Sequence, residues 1–261
     1  MSSEPQLEPQ ASAVRTRQEA GVFRIHIDRA EKHNALRTAD LNALARCLAV
    51  VAQDEDIRLV VLSSAGNRTF CAGADLSDVD AATLPADLFQ QVTNELANLP
   101  MPTLAVIQGN VIGGGVDLAL ACDFRLGVLP CRLQIPAVQF GLCYPPDGIA
   151  RITHRLGRRA AQRLLVLGEP LADDALATSE FFDEVVEPAS LEVAADRWIA
   201  TFLAGAPLAQ RAMKRLIVDA ESHRVDATEA RAWVRRCADS EDLREGLAAR
   251  REKRRPRFTG R

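Results

Sequence analysis

Two short glycine-bearing segments carry the residue types from which main-chain chemistry can be built. The first is Phe70-Cys71-Ala72-Gly73-Ala74-Asp75-Leu76, whose small residues let a ligand come close to the backbone. The second is Gly109-Asn110-Val111-Ile112-Gly113-Gly114-Gly115-Val116-Asp117, running into Leu118-Ala119-Leu120-Ala121-Cys122. Three consecutive glycines at a strand-to-helix turn leave N–H groups free at a helix N-terminus, where negative charge is stabilised. Two such loops, if they converge, supply paired N–H donors to an oxygen that gains charge during a reaction. Phosphate-loop patterns do not compete, because neither G-x-x-x-x-G-K-[ST] nor G-x-G-x-x-G occurs. Either loop alone reads equally well as a structural turn.

The elements that must hold these loops show in the hydrophobic pattern. Val22 to Ile27 alternates, with Phe23, Ile25 and Ile27 as its apolar set, and places His26 on the solvent side or at an edge. From Thr38, an expected N-cap, Leu41, Leu44, Leu48 and Val51 recur at helical spacing to about Gln53. Leu59-Val60-Val61-Leu62 and Thr103-Leu104-Ala105-Val106-Ile107 are continuous apolar runs, the mark of strands covered on both faces. Strands alternating with helices predict an α/β fold with parallel pairing. Beyond about residue 190 only helical segments remain: 191–203, 207–220, 227–238 and 242–250. The last two carry few large apolar residues and call for another surface to pack on. The expected organisation is a flexible tail over 1–13, an α/β core over 14–195 and a helical region with a basic tail over 196–261.

Composition narrows the function classes. Of 261 residues, 48% are hydrophobic and 26% charged, an ordinary globular balance that excludes disorder as the main state. A net charge of -3 gives no whole-chain signature of nucleic-acid binding. No apolar run approaches the roughly 18 residues that span a bilayer, so no membrane partner is expected. The start MSSEPQLEPQASA has neither the basic opening nor the apolar core of a secretory signal. Six scattered cysteines form no C-x-x-C pair, so we expect no metal, no disulfide and a cytoplasmic protein with reduced thiols. The final stretch, residues 250–261, sets seven basic residues against one acidic. It reads as a solvated tail or an anion-binding strip; without interleaved aromatics it makes a poor RNA platform.

Taken together, these motifs resemble the crotonase (enoyl-CoA hydratase/isomerase) superfamily over nearly the whole chain, from about Val22 to Arg261. The carriers are His33-Asn34-Ala35-Leu36, the segment Phe70 to Leu76, Gly109 to Asp123, and Gly141 followed by a Pro/Gly turn. Glu245-Gly246 and Lys253-Arg254-Arg255-Pro256-Arg257-Phe258 are similar to the family's ending. The resemblance implies a spiral of ββα units, with C-terminal helices that build a homotrimer or a dimer of trimers. It implies an acyl-CoA thioester as ligand, with coenzyme A part of the substrate and no separate cofactor. The N–H groups of Ala74 and Gly114 would hold the thioester oxygen. Ala35, Ala72, Asp75, Leu76, Ser77 and Gly113 would line the substrate and CoA site. Lys253 and Phe258 in the basic strip would help to hold CoA, including across a subunit boundary.

The sequence departs from the family's hydratases at both glutamates that position water. The first position holds Asp117, similar to the family's dienoyl-CoA isomerases; the second holds Ala137, which cannot transfer a proton. In the following loop, Tyr144 is similar to the tyrosine of methylmalonyl-CoA decarboxylase, and Asp147 to an aspartate of other members. Asp117, Tyr144 and Asp147 are therefore the catalytic candidates. Isomerase, lyase or decarboxylase-like chemistry is expected in preference to standard hydration. The alternative is an acyl-CoA-binding or regulatory protein with weak or lost turnover. Cys143 has no evident partner to activate it, and His33 falls on the adenine side of the expected ligand.

Overall fold

A computed structural model describes residues 12–221 and 224–261. Residues 1–11 of the expected tail lie outside the described residues. The end of that tail is tied down: Ala13 is buried and its N–H donates to Asp40 Oδ1 at 2.7 Å.

The strands are β1 (Val14–Glu19), β2 (Val22–Ile27), β3 (Leu59–Ser64), β4 (Thr69–Cys71), β5 (Thr103–Ile107), β6 (Asn110–Ile112), β7 (Phe124–Val128), β8 (Arg132–Gln134), β9 (Leu171–Ala172) and β10 (Glu184–Val186). The α-helices are α1 (Thr38–Gln53), α2 (Leu76–Asp80), α3 (Leu88–Ala97), α4 (Gly114–Leu120), α5 (Pro146–Ala161), α6 (Asp173–Ala177), α7 (Leu191–Ala204), α8 (Pro207–Glu221), α9 (Ala227–Ala238) and α10 (Glu241–Glu252).

Strands alternate between two sheets. One sheet has the order β1-β2-β3-β5-β7-β10 and the other β4-β6-β8-β9. Thus β3 is followed by β4, β5 by β6 and β7 by β8, and each pair is followed by helix, which winds the chain as a spiral of ββα units. Pairing is parallel except at β1–β2 and β8–β9.

The apolar run of β3 explains the layering. Its residues alternate faces. Val60 and Leu62 join the main core with α1 and α3, whereas Leu59 and Val61 pack with Ala194, Ala195, Ile199 and Phe202 of α7. Helix α7 therefore runs through the boundary expected near residue 195, because its apolar face covers the sheet.

Two local expectations are corrected. Arg37, not Thr38, caps α1: its backbone N–H donates to Asp40 Oδ2 at 3.0 Å, and its guanidinium binds the same carboxylate. His26 is not an edge residue, since β2 is flanked on both sides and His26 Nδ1 lies 3.0 Å from Ser63 Oγ. After α8 the packing thins: α9 buries no residue, and α10 buries only Asp242 and Ala249. Among the described residues, no helix is long and apolar enough to cross a membrane.

Candidate active site

The two glycine loops meet. Strand β4 pairs with β6, so the segments that leave them run side by side. Gly73 has φ +85°, and a Cβ there would stand inside 3 Å of the Gly114 nitrogen. Gly113 has φ +55° and sits against the Ala72 carbonyl, 3.1 Å from its ideal Cβ. Only glycine combines that φ with that closeness.

The hydrogen bonds of this junction leave donors over. Leu36 bridges Ala74 in parallel register; its N–H donates to Gly73 O (2.8 Å), and it accepts from Asp75 N–H (2.9 Å). That pattern turns the Ala74 N–H away from Leu36. The Gly73 N–H donates to Cys71 Sγ at 3.4 Å and the Gly113 N–H to Gln134 O at 2.7 Å. Burial pushes the Cys71 thiol up to about 12, so it stays neutral. Gly114 opens α4, and among the described residues neither its N–H nor that of Ala74 has an acceptor. Two unsatisfied donors from touching loops, one at a helix N-terminus, can receive a single anionic oxygen.

Asp117 follows in the first turn of α4 and is buried, with both oxygens engaged. Thr93 Oγ1 donates to Oδ2 at 2.8 Å, and Arg151 Nη1 forms an ion pair with Oδ1. Arg151 Nη2 also donates to Asn94 Oδ1 at 2.7 Å, and Asn94 Nδ2 donates to Asp147 Oδ2 at 2.7 Å. Asp117 and Asp147 are thus the two ends of one chain of polar contacts. Tyr144 is beside it: the missing Cβ of Gly148 would lie 2.7 Å from the Tyr144 ring and 3.5 Å from Asp117 Cγ. The Tyr144 hydroxyl donates to Gly113 O at 3.2 Å. Burial and then the Asp117 charge raise its pKa well above the ordinary value, so the phenol is neutral and can donate.

A family model described as enoyl-CoA hydratase/isomerase matches residues 17–261. The chain belongs to the enoyl-CoA hydratase/isomerase family. A relative from Mycosarcoma maydis, enoyl-CoA isomerase/hydratase fer4, is 31% identical, with 97% of each chain covered. The mitochondrial methylglutaconyl-CoA hydratase of Mus musculus is 29% identical over 92% of this chain and 80% of its own. Among solved structures, an enoyl-CoA hydratase/carnithine racemase from Magnetospirillum magneticum superposes with a TM-score of 0.90 at 27% identity, covering 97% of both chains. This chain is therefore an enzyme of the enoyl-CoA hydratase/isomerase family with the crotonase fold.

Of the expected substrate residues, those near the loops do come together. Arg29 Nη1 donates to Ala35 O (3.0 Å) and pairs with Asp75 Oδ2 (2.5 Å), tying the 33–36 segment to the first loop. Asp75 also accepts from the Ser77 hydroxyl (2.6 Å) and N–H (3.0 Å). The Ser77 hydroxyl and then Arg29 hold its carboxyl down near about 2. Leu76 and Ser77 are exposed at the start of α2. Ala137 is buried in a turn three residues past Gln134, whose carbonyl accepts from Gly113.

Lys253 and Phe258 stand apart from the two loops within one chain. Lys253 ends α10 in left-handed conformation and is exposed; the Phe258 ring folds back to 3.5 Å from the ideal Cβ of Gly246. Neither hydrogen-bonds to the loops among the described residues. Within the strip, Arg254 pairs with Glu245 and Glu252.

Sequence reasoning missed Arg29, Gln90, Thr93, Asn94 and Arg151, and also Phe89, whose Cζ lies 2.5 Å from the ideal Cβ of Gly114. One signal was present: Gln90, Thr93 and Asn94 share the i, i+3, i+4 face of α3. Gln90 Oε1 accepts from Gly148 N–H at 3.0 Å, so that face locks the Tyr144 loop to the network.

Proposed function

We propose that this enzyme acts on an acyl-CoA thioester whose carbonyl oxygen accepts from the N–H groups of Ala74 and Gly114. The observation that carries the proposal is the contact of Gly73 with Gly114, flanked by amides that lack a protein acceptor. When Cα loses a proton or CO2, or a nucleophile adds at Cβ, the electron pair moves to that oxygen. Each donor aimed at the oxyanion is worth about 2.7–4 kcal/mol of barrier. Coenzyme A is then part of the substrate, and no separate cofactor is invoked.

Isomerase, lyase or decarboxylase-like chemistry is favoured over hydration. Two-carboxylate addition of water takes an acid or base at 137, and Ala137 has none. Asp117 is committed to Arg151 and Thr93, which lowers its value as a free base. The neutral Tyr144 phenol is the group best suited to hand a proton to an enolate carbon. Loss of CO2 from a 2-carboxyacyl thioester makes the least demand on such a site. The electrons of the breaking C–C bond enter the enolate without any base, and one proton then goes to Cα.

A panel of enoyl-, dienoyl- and branched malonyl-CoA thioesters, assayed with wild type, Asp117→Asn and Tyr144→Phe, tests this. Turnover of one substrate class that falls in Tyr144→Phe supports it. Tight acyl-CoA binding without turnover anywhere replaces it with the binding-protein reading, which the sequestered Asp117 favours. We also propose that α9 and α10, with Val234, Leu243 and Leu247 exposed, build the homotrimer or dimer of trimers and bring Lys253 to a neighbour's CoA.

A further inference from the structure

A groove of about 560 Å³ opens between the C-terminal helices and the N-terminal ends of β3 and β5. Topology keeps the two places apart. Arg58 immediately precedes β3, and Asn98, Leu99 and Pro100 precede β5, whereas the glycine loops lie beyond the far ends of these strands. The six residues of β3 alone span about 20 Å. The volume falls in the roughly 300–1,000 Å³ range of small-molecule sites.

Its walls hold cations short of counter-charge. Arg58 Nη2 donates to Leu203 O and Gly205 O, both at 2.7 Å; Arg211 Nη2 donates to Ile57 O (2.9 Å) and Glu55 O (3.1 Å). These are main-chain acceptors, and neither guanidinium forms an ion pair among the described residues. Burial pulls Arg58 below its ordinary pKa, with Asp242 offsetting this only in part. Arg236, exposed and also without an ion pair, lies 4.8 Å from the centroid of the Trp233 ring. Of the other cations here, Lys214 pairs with Asp123 (2.6 Å) and Arg215 with Asp219 (2.9 Å), and the exposed Arg261 also lines the groove. Of the acids, Glu229 faces Arg215 at 3.7 Å, and Glu55 and Asp56 are exposed.

We propose that this groove binds a small phosphorylated ligand, held by the guanidinium groups of Arg58, Arg211 and Arg236 against the Trp233 ring. Phosphate is the anion that matches several guanidinium forks at once, because it offers multiple charged oxygens. The site stands whether or not the acyl-CoA reading holds.

The chain has two tryptophans, and Trp198 lies in the second core beside Phe124 and Phe202. In full-length Trp198→Phe, indole emission reports Trp233 alone. Titration with inorganic pyrophosphate at low salt should give a saturable change, and calorimetry on the unmodified chain should give the same affinity. Arg236→Gln, at an exposed position, should weaken binding about tenfold, as loss of one charged hydrogen-bonding group does. Saturating acetyl-CoA should leave the affinity unchanged. Absence of saturable binding by both methods overturns the proposal, as does an unchanged affinity in Arg236→Gln. Displacement by acetyl-CoA places the pyrophosphate at the glycine loops and also overturns it. Citrate binding as tightly as pyrophosphate overturns the phosphate assignment.

Discussion

Gly73 presses on Gly114 so closely that no side chain fits between the first residue and the main-chain nitrogen of the second. The contact joins two loops 41 positions apart in the chain, and it fixes where the Ala74 and Gly114 amides stand. Two donors can stabilise one oxyanion only if their separation is held.

Gly73→Ala adds a methyl at that contact and forces an L side chain into φ +85°. We expect a fall in kcat/KM of about 10²–10³, the size of one lost donor, and destabilisation of about 1–3 kcal/mol. Gly141→Ala is the control, because its φ is also positive (+71°) but a Cβ there meets nothing within 4 Å. It should lose some stability and keep its turnover. Steady-state kinetics and thermal unfolding of the pair check this.

Arg151 neutralises buried Asp117. Arg151→Leu leaves that carboxylate without its counter-charge and should cost about 3–5 kcal/mol. Adding Asp117→Asn should recover part of the loss. A double-mutant cycle by urea unfolding reads the coupling directly.

Asp75 gives a prediction at acid pH. Its folded pKa, about 2, is below the ordinary aspartate value of about 3.9. The stabilisation is therefore present above pH 4 and lost as pH falls toward 2, and it amounts to roughly 2 kcal/mol. Acid titration of stability should lose that part of its slope in Asp75→Asn.

Tyr144 gives the opposite edge. Its pKa is raised in the fold, so the unfolded chain ionises first and stability declines as pH rises past the unfolded value near 10. Tyr144→Phe should remove that decline. If the phenol delivers the proton, the same variant should lose about 10²–10⁴ in kcat. A stability titration and a pH–rate profile measured on both proteins separate the two effects.

The sequence was most legible where one face or both faces of an element are buried. The α1 periodicity and the β3 and β5 runs marked their elements because burial demands those residues. Its three-residue strands were not legible: β4 and β6 are too short to alternate and were visible only as glycine loops. The cap of α1 was misread because Asp40 reaches back to Arg37, an interaction that Thr38 as a residue type does not disclose. The site's polar scaffold was hidden for a different reason. Arg29 meets Asp75 across 46 positions and Arg151 meets Asn94 across 57, so no local spacing announces either contact. Phe258 lies beyond the end of α10, and the fold-back that sets its ring against Gly246 of that helix is no more announced by local spacing.

The most direct test is the infrared carbonyl stretch of an acyl-CoA labelled with ¹³C at its thioester carbon, bound to the enzyme. Two N–H donors on the oxygen should move the band to lower wavenumber than for the same thioester in water. A bound thioester whose band stays at its solution position, or moves higher, contradicts the proposed role of Ala74 and Gly114.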